Sequence, residues 1–221
     1  MGVPVLVPRG EPRWPVMSAV LFVLLLLAIL PGRVRLFAPW VPWVVAVALL
    51  LPMGATAATS SRAFWVRVER VSTVIFSLVI AALTLDTLVY LVRSMVSRST
   101  ELGGLELLAS SIGVWVTNVV AFSLLFWQID RGGPGGRSVA GTPRPDWLFP
   151  QPEAPVEEVP PGWKPAFVDY LFLAFSTATA FSATDALPLT PRAKLLMMVE
   201  SSISLATIVV VASRAINILG S

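Results

Sequence analysis

Apolar residues run along this chain in long, nearly unbroken stretches at 16–30, 40–58, 71–92, 105–127 and 195–211, with basic residues and prolines gathered in the gaps between them. Each stretch is apolar on every side, the signature of a segment buried on all faces. Together they hold more apolar surface than one core of this chain length can hide, so lipid must cover the remainder. A helix rises about 1.5 Å per residue and a bilayer's hydrocarbon core is about 30 Å thick, so the third run, about 33 Å long, is sufficient to cross. The first run extends about 22 Å as a helix, and a signal peptide is its alternative reading; no small-x-small cleavage site follows before Pro31, Gly32 and Arg33. Trp14 before it, and Pro39, Trp40, Pro42 and Trp43 at the head of the second run, suit interfacial anchors and first-turn prolines.

Residues 1–14 form a short polar tail and residues 15–104 hold three transmembrane helices; residues 105–221 contain the rest, including a Pro- and Gly-rich aqueous loop at 131–165. The run of glycines after Asp130 and Arg131 cannot remain helical. The loop carries Glu153, Glu157 and Glu158, yet also Trp147, Phe149 and Trp163, more aromatic surface than a linker needs. Either part of it packs on the membrane face of the protein or it is a mostly disordered connector.

Composition sharpens this picture. The 221 residues are 56% hydrophobic and 13% charged, with a mean hydropathy of +0.79, which is not a soluble composition. Cysteine and histidine are both absent, which removes disulfides, thiolate nucleophiles, thiolate or imidazole metal sites and catalytic imidazole. The expectation is therefore no enzyme, no cofactor and no metal site. Net charge of +3 comes from arginines scattered at helix ends rather than from a basic cluster, so anionic lipid is a better partner than nucleic acid. The preference for Arg, Ala and Pro over Lys suggests a GC-rich bacterial source, and the location expected is the cell membrane, crossed several times.

Chemistry concentrates after the loop. Residues 167–181 rise about 22 Å as a helix and are followed at once by Ser182, Ala183, Thr184 and Asp185, which suits a segment that enters the membrane and turns back. The alternative is an ordinary span from 167 to 189 whose hydroxyls bond to backbone carbonyls. Thr177, Ala178, Thr179, Asp185, Pro188, Thr190 and Lys194, followed by a long last helix, resemble without a gap the pore helix, filter and inner helix of the potassium-channel superfamily. The resemblance covers about half the chain and implies that residues 105–127 are the outer helix and 131–165 an enlarged turret, in a homotetramer passing monovalent cations. Ser182, Ala183 and Thr184 depart from it, standing where the family has Gly-Tyr-Gly. A carbonyl filter needs positive φ, which costs non-glycine residues about 1 kcal/mol or more each, so potassium selectivity is not expected. With Thr177, Thr179, Ser182, Ala183, Thr184 and Asp185 as the filter-like positions, a ring of hydroxyls from Ser182 and Thr184 with an outer ring of Asp185 carboxylates would favour cations with weak discrimination.

In the last helix, spacings of four and three put Glu200, Ser204, Thr207, Val211 and Arg214 on one stripe, expected to line water as the inner-helix pore face. Glu200 within an apolar run is a functional candidate by default; its alternative is a neutral Glu bonded to Ser201, Ser204 or Asn118. Asp86 and Asn118 read as glue between helices. The fold expected is all-α, a polytopic integral membrane protein with five transmembrane helices plus one re-entrant pore-like helix; six full spans is the alternative. The five-span layout leaves Arg62, Arg67 and Arg70 outside, against the positive-inside tendency, and rests on the seven matched positions. The function expected is weakly selective cation conduction through an oligomeric pore, with a non-conducting membrane scaffold or accessory subunit as the alternative.

Overall fold

The computed structural model describes residues 11–29, 41–58, 62–96, 104–137, 144–155, 157–159, 162–179 and 185–219. Helices dominate: α1 (Trp14–Ile29), α2 (Val41–Ala58), α3 (Arg62–Val96), α4 (Gly104–Ile129), a single turn α5 (Gly133–Gly136), α6 (Phe167–Thr179) and α7 (Pro191–Leu219). Three of them, α3, α4 and α7, are long and apolar enough to cross a membrane, while α1, α2 and α6 are shorter apolar helices. By length and composition the chain is a multi-pass membrane protein. The pattern of the sequence predicts five crossings; at 16 and 18 residues, α1 and α2 extend about 24 and 27 Å, a little less than the hydrocarbon core.

One departure from an all-helical fold is a two-residue antiparallel pairing, β1 (Trp147–Leu148) with β2 (Leu187–Pro188), in which Trp147 faces Pro188 and Leu148 faces Leu187. Another lies in α3, whose 35 residues begin at Arg62 rather than after Arg70. Arg and Glu are good helix formers, so the helix continues past the end of its apolar run. The glycine stretch also differs from expectation. The backbone leaves helical geometry at Arg131, Gly132 and Gly133, all at positive φ, but Gly133–Gly136 then closes one further helical turn with Pro134 in its first turn.

α4 is the hub. It packs against α1, α3, α6 and α7, and its buried Val119, Phe122, Leu125, Phe126 and Trp127 form the centre of the core. The exposed apolar side chains of α3 and α7, such as Ile75, Val79, Leu195 and Leu205, are the surface expected to meet lipid or a second protomer.

At the C-terminal end of α4 the described aromatics of the loop are packed. Trp147 is fully buried, stacks 4.8 Å from Phe126 and lies edge-on to Tyr170; Phe149 packs against Tyr170 and Trp163. These aromatics roof one end of the bundle, hereafter the cap. The start of the chain joins it: Arg13 Nε donates to Glu69 Oε1 on α3 at 3.0 Å, and Glu11 accepts from Trp127 Nε1 and from Arg137 Nη2.

Candidate functional site

The cap is organised around two carboxylates with no exposed surface, Asp130 and Asp146. Asp130 Oδ1 accepts the backbone N–H of Asp146 at 2.7 Å, and its Oδ2 accepts the hydroxyl of Tyr170, from the first turn of α6, at 2.6 Å. Asp146 Oδ1 accepts from Thr190 Oγ1 and Arg192 Nε, and its Oδ2 from Arg192 Nη2, each at 2.6 Å, a bidentate pair at the start of α7. Arg137, also buried, donates to the carbonyls of Trp127 and Asp130, capping the end of α4 with positive charge where the helix dipole is negative. Local signals set the two helix starts. Asp169 reaches back to the N–H of Ala166 at 2.7 Å, and Thr190 caps α7 by accepting from the Ala193 N–H ahead of Pro191 in the first helical position.

The consequence is geometric. The N-terminus of α6 and the N-terminus of α7 are fastened to adjacent carboxylates at the same end of the molecule. Ser201, ten residues into α7, donates to the carbonyl of Thr177, ten residues into α6, at 3.2 Å. Both helices therefore descend side by side in the same direction for about 15 Å. After the end of α6, the next paired segment, β2, is again at the cap beside β1. α6 is about 20 Å long.

Thr177 is buried, its hydroxyl bonded to the Leu173 carbonyl; Thr179 is half-buried at the C-terminus of α6, and Asp185 is exposed on the cap. Ser182, Ala183 and Thr184, expected to form the filter, lie outside the described residues. Glu200, Ser204 and Thr207 share one face of α7, as their spacing predicts, but that face is the enclosed one. It turns toward α4, where Asn118 Nδ2 donates to Ser204 Oγ at 2.9 Å and to the Glu200 carbonyl at 3.2 Å. Within the protomer the stripe is thus sealed against a neighbouring helix rather than opened outward, because polar groups on a lipid-facing helix gain hydrogen bonds only by turning inward. The open side of α7 carries Leu195, Met198, Leu205 and Val209, with Ser202 the polar member of that face. Asp86 is exposed on α3 rather than packed between helices, and the side chain of Arg214 lies outside the described residues.

Two hollows flank α6. One, about 300 Å³ and apolar in its exposed walls, lies below its C-terminus between α4 and α7, lined by Ile112, Trp115, Thr179, Thr207, Ile208 and Val211. The other, about 820 Å³ and almost wholly apolar, is an open groove between α1, α4 and α6. Among the described residues no cluster of three or more acidic side chains is placed to hold a metal ion. The clasp formed by Asp130, Asp146, Tyr170 and Arg192 is absent from the sequence reading; its partners are 16 to 46 residues apart, and the surplus of loop aromatics was the one local hint. Compared with known proteins, the chain matches no family model, no curated protein and no solved structure.

Proposed function

We propose that the chain is an ion-channel-like protein of the cell membrane in which α4, α6 and α7 form a pore module. In this reading α1, α2, α3, α4 and α7 cross the bilayer, while residues 167–190 dip into it and return. Four protomers meet around residues 177–185 and pass monovalent cations with weak selectivity. The observation that carries this is the fastening of Tyr170 and Thr190, near the two ends of residues 167–190, to Asp130 and Asp146, which supports the order of outer helix, half-depth helix, return and inner helix that a pore module requires. The exposed Asp185 at the cap supports charge selection, since carboxylates ringing an axis concentrate cations. The absence of glycine from residues 177–185 supports weak discrimination.

The test is flux into liposomes carrying the purified chain. Potassium and sodium should enter at comparable rates, and Asp185→Asn should reduce entry several-fold at low salt, with much of the loss recovered at high salt as charges are screened. No entry of either ion into liposomes shown to contain the folded oligomer contradicts conduction.

A second reading, a non-conducting scaffold or accessory subunit, is favoured by one observation: the polar stripe of α7 is enclosed and the side left open is apolar. A stable monomer in detergent, or lipid occupying the central axis of an oligomer, is the outcome that selects it.

A further inference from the structure

Glu200 lies about 13 Å below the start of α7 with no exposed surface, and neither of its carboxylate oxygens has a hydrogen-bond partner among the described residues. Its neighbour across the α4 contact has the same deficiency: Asn118 spends its amide nitrogen on the Glu200 carbonyl and Ser204, and its Oδ1 has no donor. Three acceptor oxygens without a donor therefore belong to two residues in contact at one buried helix crossing. Leaving a buried acceptor unmatched costs about 1–3 kcal/mol, and an unpaired charge in hydrocarbon costs more.

Among the described residues no charged group supplies the balance. On α3, Glu69 is paired with Arg13, while Arg67, Arg70, Asp86 and Arg93 are exposed. On α6, Asp169 is bonded at the helix start; on α7, Arg192 is held by Asp146 and Lys194 is exposed. The described part of α4 presents no ionisable side chain here, and its end group Asp130 is held by Tyr170 in the cap. A metal cation is also poorly served, since hard cations take about six oxygens and no acidic cluster is present among the described residues.

We propose that Glu200 and Asn118 form an exchangeable proton site inside each protomer, reached through the cavity beneath α6. Glu200 gains one proton from water and becomes a donor, its new O–H answering an acceptor that has none; on release the proton returns to water by the same way. Thr207 lines this apolar-walled cavity and lies on the Glu200 face of α7, its hydroxyl donated to the Ile203 carbonyl, with Ser204 between them bonded to Asn118, so one face of α7 runs from cavity to carboxyl. This site stands on the α4–α7 contact alone and holds whether or not the module conducts.

Infrared difference spectroscopy of the full-length chain in liposomes tests it, with choline, sodium or potassium chloride outside. The expected result is a carbonyl band of a protonated carboxyl at neutral pH, unchanged by the choice of cation, shifted by transfer to deuterated water and lost in Glu200→Gln. Thr207→Phe, plugging the route, should slow that deuterium shift several-fold while keeping the band. The proposal is overturned if the wild-type chain shows no such band, if the band survives in Glu200→Gln, if sodium or potassium abolishes it, or if deuterated water never shifts it. Wild-type readings alone decide three of these outcomes, so a variant that failed to fold would not rescue the idea.

Discussion

Asp146 is fully buried, yet both of its oxygens are occupied, and the groups that occupy them start α7. Removing Arg192 strands a carboxylate that Thr190 alone then faces. Because the Arg192 side chain is 58% exposed, water reaches part of the pair, and the cost sits below that of a fully enclosed ion pair: Arg192→Ala should destabilise the folded protein by about 2 kcal/mol. Tyr170→Phe removes a hydroxyl donated to the buried Asp130 carboxylate and should cost about 2 kcal/mol without altering the packing of the ring. Denaturant or thermal unfolding in detergent checks both. Losses under about 0.5 kcal/mol for the pair would show that the clasp does not hold α6 and α7 to the cap.

Among the elements, the end of α4 is where backbone geometry decides most. Gly133 has φ of 81°, and a Cβ there would stand 2.9 Å from both the carbonyl and the side-chain oxygen of Gln128. Gly162 also has positive φ, but its surroundings are open. Gly133→Ala should therefore cost about 2 kcal/mol and Gly162→Ala about 1 kcal/mol, a difference that unfolding midpoints can resolve. Two helices were legible in the sequence to within a residue or two, the readings of 40–58 and 105–127 corresponding to Val41–Ala58 and Gly104–Ile129, whereas α3 begins nine residues before its apolar run. Apolar runs bounded by Pro, Gly and Arg give those edges directly. The face shared by Glu200, Ser204 and Thr207 was legible too, since periodicity assigns residues to a face. What lies opposite that face was not, because periodicity carries no information about the neighbour, and Asn118 on a helix 82 residues earlier supplied it. The cap was illegible for the same reason. Its carboxylates, hydroxyls and guanidinium come from separate elements, and no local pattern announces that Asp146 will meet Arg192.

For the molecule as a whole, the contacts set a direction for α1, α3, α4 and α7. Arg13, at the start of α1, meets Glu69 near the start of α3; Trp127, at the end of α4, meets Glu11; and α7 leaves from Asp146. The chain's beginning, the loop and the start of α7 therefore gather at one end, and the last turns of α7 lie at the other. The half-depth helix proposed above fits that arrangement. Labelling from one side of the membrane reads this out directly in a chain with no native cysteine. Single cysteines at the exposed positions Glu157, Asp185 and Ala212 should react with a membrane-impermeant maleimide in two groups: Glu157→Cys and Asp185→Cys from one side, Ala212→Cys from the other. Labelling of Glu157→Cys and Asp185→Cys from opposite sides, or of Glu157→Cys and Ala212→Cys from the same side, would contradict the account.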